Sequence, residues 1–374
     1  MSQPSAPPIP IRPASAADNA ALLALSAEVP VSTPAFAYTL ERSPDYFAFA
    51  RIQALRSDIW VAGEPGAVSG FLSVSFDRVW LEGQAQAIAY TGDLRVAQAA
   101  RGLGLGDRLM QAGIAATRQD FSHPVFTCVM KDNPVGLKMN ANLSRDGITE
   151  MKPVAEIVLA MLLPLSKFKQ SPVRAGGFVV TRAQERDFAE MFELWQRVKS
   201  KQHLARAWTQ TQWRSWIEST PGLALSDYLL ARNAQGELCG FFALWNQQAV
   251  RRVRLLRVHP LLWGVRGLER LGRRFFKHAQ RAPFLPGKGD VLPVRQVLNL
   301  CIAGHAPKAF PALLQAALAA KEPPFLLGIA LDRNDPLQCG LALFPASRSE
   351  LVLLSNYAFA RPGRGLFHLE IGLG

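Results

Sequence analysis

The sequence predicts an α/β protein built twice over, each half a mixed central sheet with helices on both faces. Three observations carry that reading. A pattern of strand, helix and hairpin recurs in the two halves; short apolar runs alternate with a period of two; and a bend with three glycines joins a strand-like run to an amphipathic helix.

The elements follow in order. Residues 1–10, rich in Ser and Pro and without a charged start or apolar run, read as a loose tail. Ile11 to Ala14 reads as a first strand, leading through Asp18 to a helix over Ala20 to Leu25. Arg42 to Phe47 is a polar turn opening an aromatic helix, with Ser43 as N-cap and Pro44 at its first position. Trp60 to Val74, with Gly66 and Gly70, reads as a hairpin of alternating apolar strands. Tyr90 to Val96 is strand-like, Gly104 to Thr117 a helix and Val125 to Met130 a strand. The apolar strand Glu156 to Leu165 closes the first unit, expected over 11–165, and a linker follows at 166–177.

The second unit, 178–374, restates the first. Val180 to Asp187 and a helix from Phe188 to Val198 echo the opening, and Leu229 to Leu244 echoes the hairpin. Arg12 and Gly70 lie 58 positions apart, as do Arg182 and Gly240. Phe325 to Leu331 followed by Asn334 echoes Val125 to Met130 followed by Asn133, but the interval from the hairpin glycine grows from 63 to 94 positions. The excess coincides with a basic, Pro-rich segment, so residues 251–293 read as an insertion between central strands.

The bend is Arg101-Gly102-Leu103-Gly104-Leu105-Gly106, followed by Asp107. A turn so poor in side chains leaves main-chain N–H groups free to surround a phosphate, and the helix behind it adds its positive end. Neither the dinucleotide spacing nor the Walker spacing is met. The arrangement R-x-x-G-x-G, with Arg101, Gly104 and Gly106 after Leu94-Arg95-Val96, resembles the pyrophosphate loop of the GCN5-related N-acetyltransferases. The likeness extends over almost the whole chain. The N-x-x-A-x-x-L-Y run common in that family falls on Asn133, Gly136, Met139 and Asn140, so its final tyrosine is absent.

The resemblance implies acetyl-CoA or another acyl-CoA as cofactor, its pyrophosphate on residues 101 to 107. It implies a main-chain N–H near Leu94, Arg95 and Val96 on the acyl carbonyl, and Asn133 beside the pantetheine arm. It also implies an amine acceptor, a small molecule or a peptide, with Arg42, Asp45 and Tyr46 lining its pocket. Asp93 and Tyr90 are the catalytic candidates. Asp93 and Arg95 project from one strand face, so Asp93 reads equally as a structural partner of Arg95. The second unit has no such loop. After its strand Val294 to Ile302 and before its helix Pro307 to Ala320 stands Ala303-Gly304-His305-Ala306. An alternative at Arg266-Gly267-Leu268 puts Glu269 and Arg270 where small residues are required.

The chain carries a net charge of +13, much of it between Arg251 and Lys288 around a basic amphipathic run, Leu268 to Ala279. That segment reads as a solvated helix, with a membrane or nucleic-acid surface, or a patch near the entrance for an anionic substrate, as its alternatives; no nucleic-acid motif accompanies it. No apolar run reaches the ~18 residues that span a bilayer. The four cysteines, at 128, 239, 301 and 339, have no paired spacing and read as reduced thiols, with no metal site expected and a cytoplasmic setting. Two readings compete with acyl transfer: an acyl-CoA-binding sensor without turnover, and a basic membrane- or nucleic-acid-binding protein.

Overall fold

The computed structural model describes residues 9–32, 36–120, 123–163, 176–258, 287–319, 325–360 and 365–370. The first half runs β1 (Ile11–Pro13), α1 (Asn19–Glu28), β2 (Val31–Ser32), β3 (Phe36–Glu41), α2 (Phe47–Gln53), β4 (Arg56–Glu64), β5 (Ala67–Leu81), β6 (Gln84–Val96), α3 (Leu105–Asp120), β7 (Val125–Met130), α4 (Pro134–Arg145) and β8 (Lys152–Leu162). The second half opens with β9 (Val179–Arg182), α5 (Phe188–Lys199), β10 (Gln202–His203), α6 (Gln210–Ser219), β11 (Tyr228–Arg232), β12 (Leu238–Trp245), β13 (Arg252–Val258) and β14 (Val291–Leu292). It continues with β15 (Val294–Ile302), α7 (Ala309–Leu318), β16 (Leu326–Asp332), α8 (Gln338–Leu341), β17 (Ala346–Ser355) and β18 (Leu366–Phe367).

Both halves contribute to one twelve-stranded sheet, in the order β1-β4-β5-β6-β7-β17-β8-β16-β15-β12-β11-β9. The order is symmetric about the β17/β8 pair, and at that pair the halves trade places. β17, the last long strand of the second half, pairs with β7 of the first, while β8 pairs with β16. The exchange leaves neither half with an open edge at the junction, so the predicted mixed sheets are fused into one.

The repeat is visible in the register, with one correction. Ile11 pairs with Ala62, which pairs with Gly70; Val180 pairs with Ala231, which pairs with Gly240. The counterpart of Arg12 is therefore Thr181, one position before Arg182. The second hairpin holds one more residue between its paired positions than the first, which makes the 58-residue spacings coincide by sequence count alone. The ion pair of Arg12 with buried Asp18, 2.7 Å, is supplied in the second half by Arg232, which reaches Asp187 at 2.9 Å from the hairpin.

Local chemistry explains the helices that frame the candidate site. Leu105, Leu109, Met110 and Ile114 recur at helical spacing and bury one face of α3 on the first-half sheet. Gly113 brings α3 close to β5 there, since a Cβ would lie 2.5 Å from Leu72 Cδ2. α2 starts later than expected: Ser43 does not cap it, and the Asp45 carboxylate accepts from the Phe47 N–H at 2.9 Å instead. The second-half core is centred on Trp195, Trp208 and Trp213, whose rings lie 5.4–5.7 Å apart.

The basic segment does not simply extend the second-half sheet. β13 runs antiparallel to β3 of the first half, with Arg252 opposite Glu41 and Val258 opposite Phe36. With β14 and β2 they form a separate four-stranded sheet. The expected linker lies outside the described residues except for Gly176 and Gly177, and the amphipathic run Leu268 to Ala279 lies outside them entirely. All four cysteines are free thiols.

Candidate active site

β6 and β7 run parallel and are paired only at Ala89/Val125, Tyr90/Phe126 and Thr91/Thr127, although β6 continues to Val96 and β7 to Met130. Beyond Thr91 the strands part. At the fork the Thr127 hydroxyl donates to the Thr91 carbonyl at 2.8 Å. On the other edge of β6, Phe71 opposes Arg95 and Ser73 opposes Gly92, so Asp93 and Leu94 together face a single residue, Leu72. This is a β-bulge, and Asp93 carries φ +50° within it. A bulge takes main-chain groups out of the ladder and re-aims them; this one sits on the lip of the strand gap.

The glycine bend begins at Arg101, five positions after the end of β6. Residues Arg101 to Gly104 are exposed, and Gly102 and Gly104 adopt φ +81° and +69°, the left-handed region that favours glycine. A Cβ at either would meet no atom within 4 Å, so the bend is open to solvent. α3 begins at Leu105, and its sixteen residues direct their unpaired first N–H groups and positive end at this opening. Gly106 serves packing, since a Cβ there would lie 3.2 Å from Met139 Sδ. Asp107 lies 3.4 Å from Asn142 Nδ2. Leu94 and Val96 pack against the α3 core.

On the opposite face Asp93 sits in a cage of donors. Arg42 Nη2 reaches its Oδ2 at 2.7 Å, Arg95 Nε its Oδ1 at 3.1 Å, and the Tyr46 hydroxyl donates to Oδ2 at 3.1 Å. The Arg42 guanidinium lies 4.8 Å from the centroids of both Tyr46 and Phe49, and Arg251 lies 4.4 Å from Phe49. Burial alone would raise the Asp93 carboxyl, but Arg42 and Arg95 outweigh it and hold the group below its ordinary value. Burial pushes Arg251 down to about 9, with Arg42 acting in the same direction. The Nε of Arg42 is buried without a hydrogen-bond partner.

The structure thus brings Arg42, Tyr46, Asp93 and Arg95 together and leaves two predicted residues elsewhere. Asp45, at the start of α2, pairs with Arg51 and is half-buried. Tyr90 makes none of the cage's hydrogen bonds and neighbours Cys128; burial raises its hydroxyl well above the ordinary value. Asn133 caps α4, its side chain accepting from the Gly136 N–H at 3.0 Å. Asn140, in the tyrosine slot, is buried; its Nδ2 donates to the Gly136 carbonyl at 2.9 Å and its Oδ1 has no partner. Arg251 escaped the sequence reading as a member of this group. Its only signal was that it opens the basic run, and nothing in the spacing announces that β13 crosses to the first half.

The second half repeats the gap and the bulge. β15 and β16 pair only from Val294/Leu326 to Gln296/Gly328, and Asn299 takes φ +52° where Phe241 opposes Cys301 and Ala243 opposes Leu298. Here the space is spanned by the chain's own C-terminal segment. The Phe367 N–H donates to Asp332 Oδ2 on β16 at 2.9 Å, and the Asn299 N–H on β15 donates to Glu370 Oε1 at 2.7 Å. The junction after β15 has no left-handed glycine. One cluster of metal-ligand type occurs among the described residues: Glu237, Cys239 and His305, with ligand atoms within 4.8 Å of one another, a grouping the sequence spacing did not reveal.

The first half thus combines a parallel strand pair opened beside a bulge with a glycine bend and a helix N-terminus at its mouth. Residues 27–139 match the model of the acetyltransferase (GNAT) family. No curated protein matches. Among solved structures, the chain is similar to Saccharomyces cerevisiae N-myristoyltransferase with bound myristoyl-CoA, at 14% identity, over 96% of this chain and 86% of that one, with a TM-score of 0.60. It is also similar to a fungal multi-domain GH3 β-N-acetylglucosaminidase containing a GCN5-related glucosamine N-acetyltransferase region, at 13% identity, over 94% of this chain and 38% of that one, with a TM-score of 0.56. At these identities the likeness concerns the fold. No helix of the described residues is long and apolar enough to cross a membrane.

Proposed function

We propose that the protein transfers an acyl group, acetyl or longer, from coenzyme A to an amine, with the chemistry in the first half. The supporting observation is an asymmetry: the first half combines strand gap, bulge and open glycine bend, whereas the equivalent gap of the second half is spanned by residues 366–370. In this reading the N–H groups from Arg101 to Asp107 hold the pyrophosphate and Asn133 meets the pantetheine arm. The main chain at Leu94 to Val96 donates to the thioester carbonyl.

The amine nitrogen attacks the carbonyl carbon, and the oxyanion that forms is stabilised by that donor. The carbon–sulfur bond then breaks and the thiolate takes a proton, while the ammonium proton leaves to water. Asp93 is already ionised and shared among three donors, so its role is to fix the bulge and orient Arg42 and Tyr46 toward the acceptor. Tyr90, held protonated by burial at the fork of the gap, is the acid this reading assigns to the thiolate, with water restoring its proton.

A sensor without turnover draws support from Asn140, which cannot replace a tyrosine as acid. The test is thiol release from acetyl-CoA and longer acyl-CoAs with a panel of amines. Thiol release that depends on the amine supports transfer. Saturable acyl-CoA binding without thiol release supports the sensor, and the absence of binding refutes both.

A further inference from the structure

A cavity of about 90 Å³ lies where the two halves meet. Its first-half wall includes Ser75 and Asp77 of β5 and Tyr90 of β6; its second-half wall includes Arg206 and the C-terminal residues His368 and Glu370. A groove of about 380 Å³ shares Ala54, Asp77 and Arg206 with it and continues over Trp208 and Trp216. Tyr90 is the residue before the last pair at which β6 and β7 hold together, so the cavity adjoins the fork of the strand gap.

The charges on this wall are unequally matched. Asp77 and Arg206 satisfy each other, Arg206 Nε lying 2.7 Å from Asp77 Oδ2. Glu370 takes three donors on one oxygen: the Asn299 N–H at 2.7 Å, Asn299 Nδ2 at 2.9 Å and His368 Nε2 at 3.2 Å. Its other oxygen, Oε2, is buried and has no hydrogen-bond partner. Burial works to raise the Glu370 carboxyl, but the His368 hydrogen bond, Arg206 and the Asn299 N–H hold it below its ordinary value, so it is an anion at neutral pH. His368 does not neutralise it, because burial pushes the imidazole down to about 4. The Lys199 ammonium stands behind that imidazole, 3.1 Å from Nδ1, and is itself pushed down by burial. A carboxylate with an unused oxygen beside a cavity, in a chain of net charge +13, calls for a cation with hydrogens to donate.

We propose that this cavity is the subsite for the ammonium group of the acceptor, that Glu370 anchors it, and that the acceptor is an elongated primary amine whose chain lies in the groove over Trp208 and Trp216. The space suits that occupant. At about 90 Å³ the cavity exceeds the ~10–15 Å³ that a single water requires, so it admits an ammonium and its first methylenes, and the groove beyond it is bordered by Leu55, 63% exposed, beside Trp208 and Trp216. The inference rests on the acyl-transfer reading for the word acceptor only; the cation site stands on its own geometry.

The test uses the full-length chain with n-hexylammonium chloride and 1-hexanol as probes, binding being followed by calorimetry and by ligand-observed NMR. The wild type is expected to bind the ammonium at least about tenfold more tightly than the alcohol, as one charge-assisted hydrogen bond allows. Glu370→Gln keeps an oxygen for Asn299 and His368 while removing the charge, and is expected to bring the two probes to parity with acyl-CoA binding unchanged. Equal binding of the two probes by the wild type, which needs no variant to observe, overturns the proposal. So does a Glu370→Gln protein that keeps the preference. Acyl-CoA binding measured on the same samples reports separately on the acyl-transfer reading.

Discussion

Replacing Asp93 by Asn removes the one carboxylate in the cage while keeping its shape. Arg42 and Arg95, only 5% and 7% exposed, would then share a buried neighbourhood with Arg251 and no counter-charge from Asp93. Breaking a buried ion pair by deleting one partner costs about 3–5 kcal/mol. Asp93 retains 16% exposure, so the lower end, about 3 kcal/mol, is expected. Urea unfolding at pH 7 should show a lower midpoint with an unchanged slope. The double variant Arg42→Met with Asp93→Asn should recover part of the loss, because the orphaned guanidinium goes with its partner. The pH dependence has a definite sign. Asp93 titrates below its ordinary value in the folded protein, so its contribution is full above the unfolded carboxyl value of about 4 and is lost as pH falls through the folded one. The variant should therefore show a flatter acid limb. A variant within about 0.5 kcal/mol of wild type at pH 7, or a double variant whose loss is the sum of the two singles, would refute the electrostatic reasoning.

Other consequences follow from the same structure. Gly104→Ala and Gly83→Ala both place a Cβ at positive φ in open space, so each should cost about 1 kcal/mol in urea unfolding. Only Gly104→Ala should weaken acyl-CoA binding, by about tenfold for each phosphate hydrogen bond lost, since Gly83 lies at the far end of β6; equal effects on affinity would contradict the cradle. Phe367→Ala, in the segment spanning the second-half gap, should cost about 3–5 kcal/mol and leave acyl-CoA affinity as it was, as calorimetry can show. Thr127→Val removes the hydroxyl that ties the fork to the Thr91 carbonyl and should cost about 1 kcal/mol, read from the urea midpoint.

Much of the first half could be read from its residues because its signals are local. The glycine bend, the apolar spacing of α3 and the strand β7 each depend on neighbours within a few positions, and the bounds of β15, Val294 to Ile302, are the same in sequence and structure. The pairing of Asp93 with Arg95 was also visible, from strand alternation. What escaped depends on distant chain. The exchange of β8 and β17 leaves no mark in either strand, since both are half-buried whichever neighbour they meet. Arg251 and Glu370 reach their sites from the other half, 158 and 277 positions after Asp93. The bulges at Asp93 and Asn299 were equally silent, because neither residue is a glycine and the left-handed conformation arises from the ladder on both sides. The one-residue offset between Arg12 and Thr181 lies in a hairpin turn, where an extra residue costs little and leaves the hydrophobic pattern intact.

The most direct measurement is the number of acyl-CoA molecules bound per chain at saturation, taken by calorimetric titration of the full-length protein. One equivalent is expected, held by the first-half cleft while the C-terminal segment occupies its counterpart. Zero would contradict the cleft itself, and two would contradict the closure of the second.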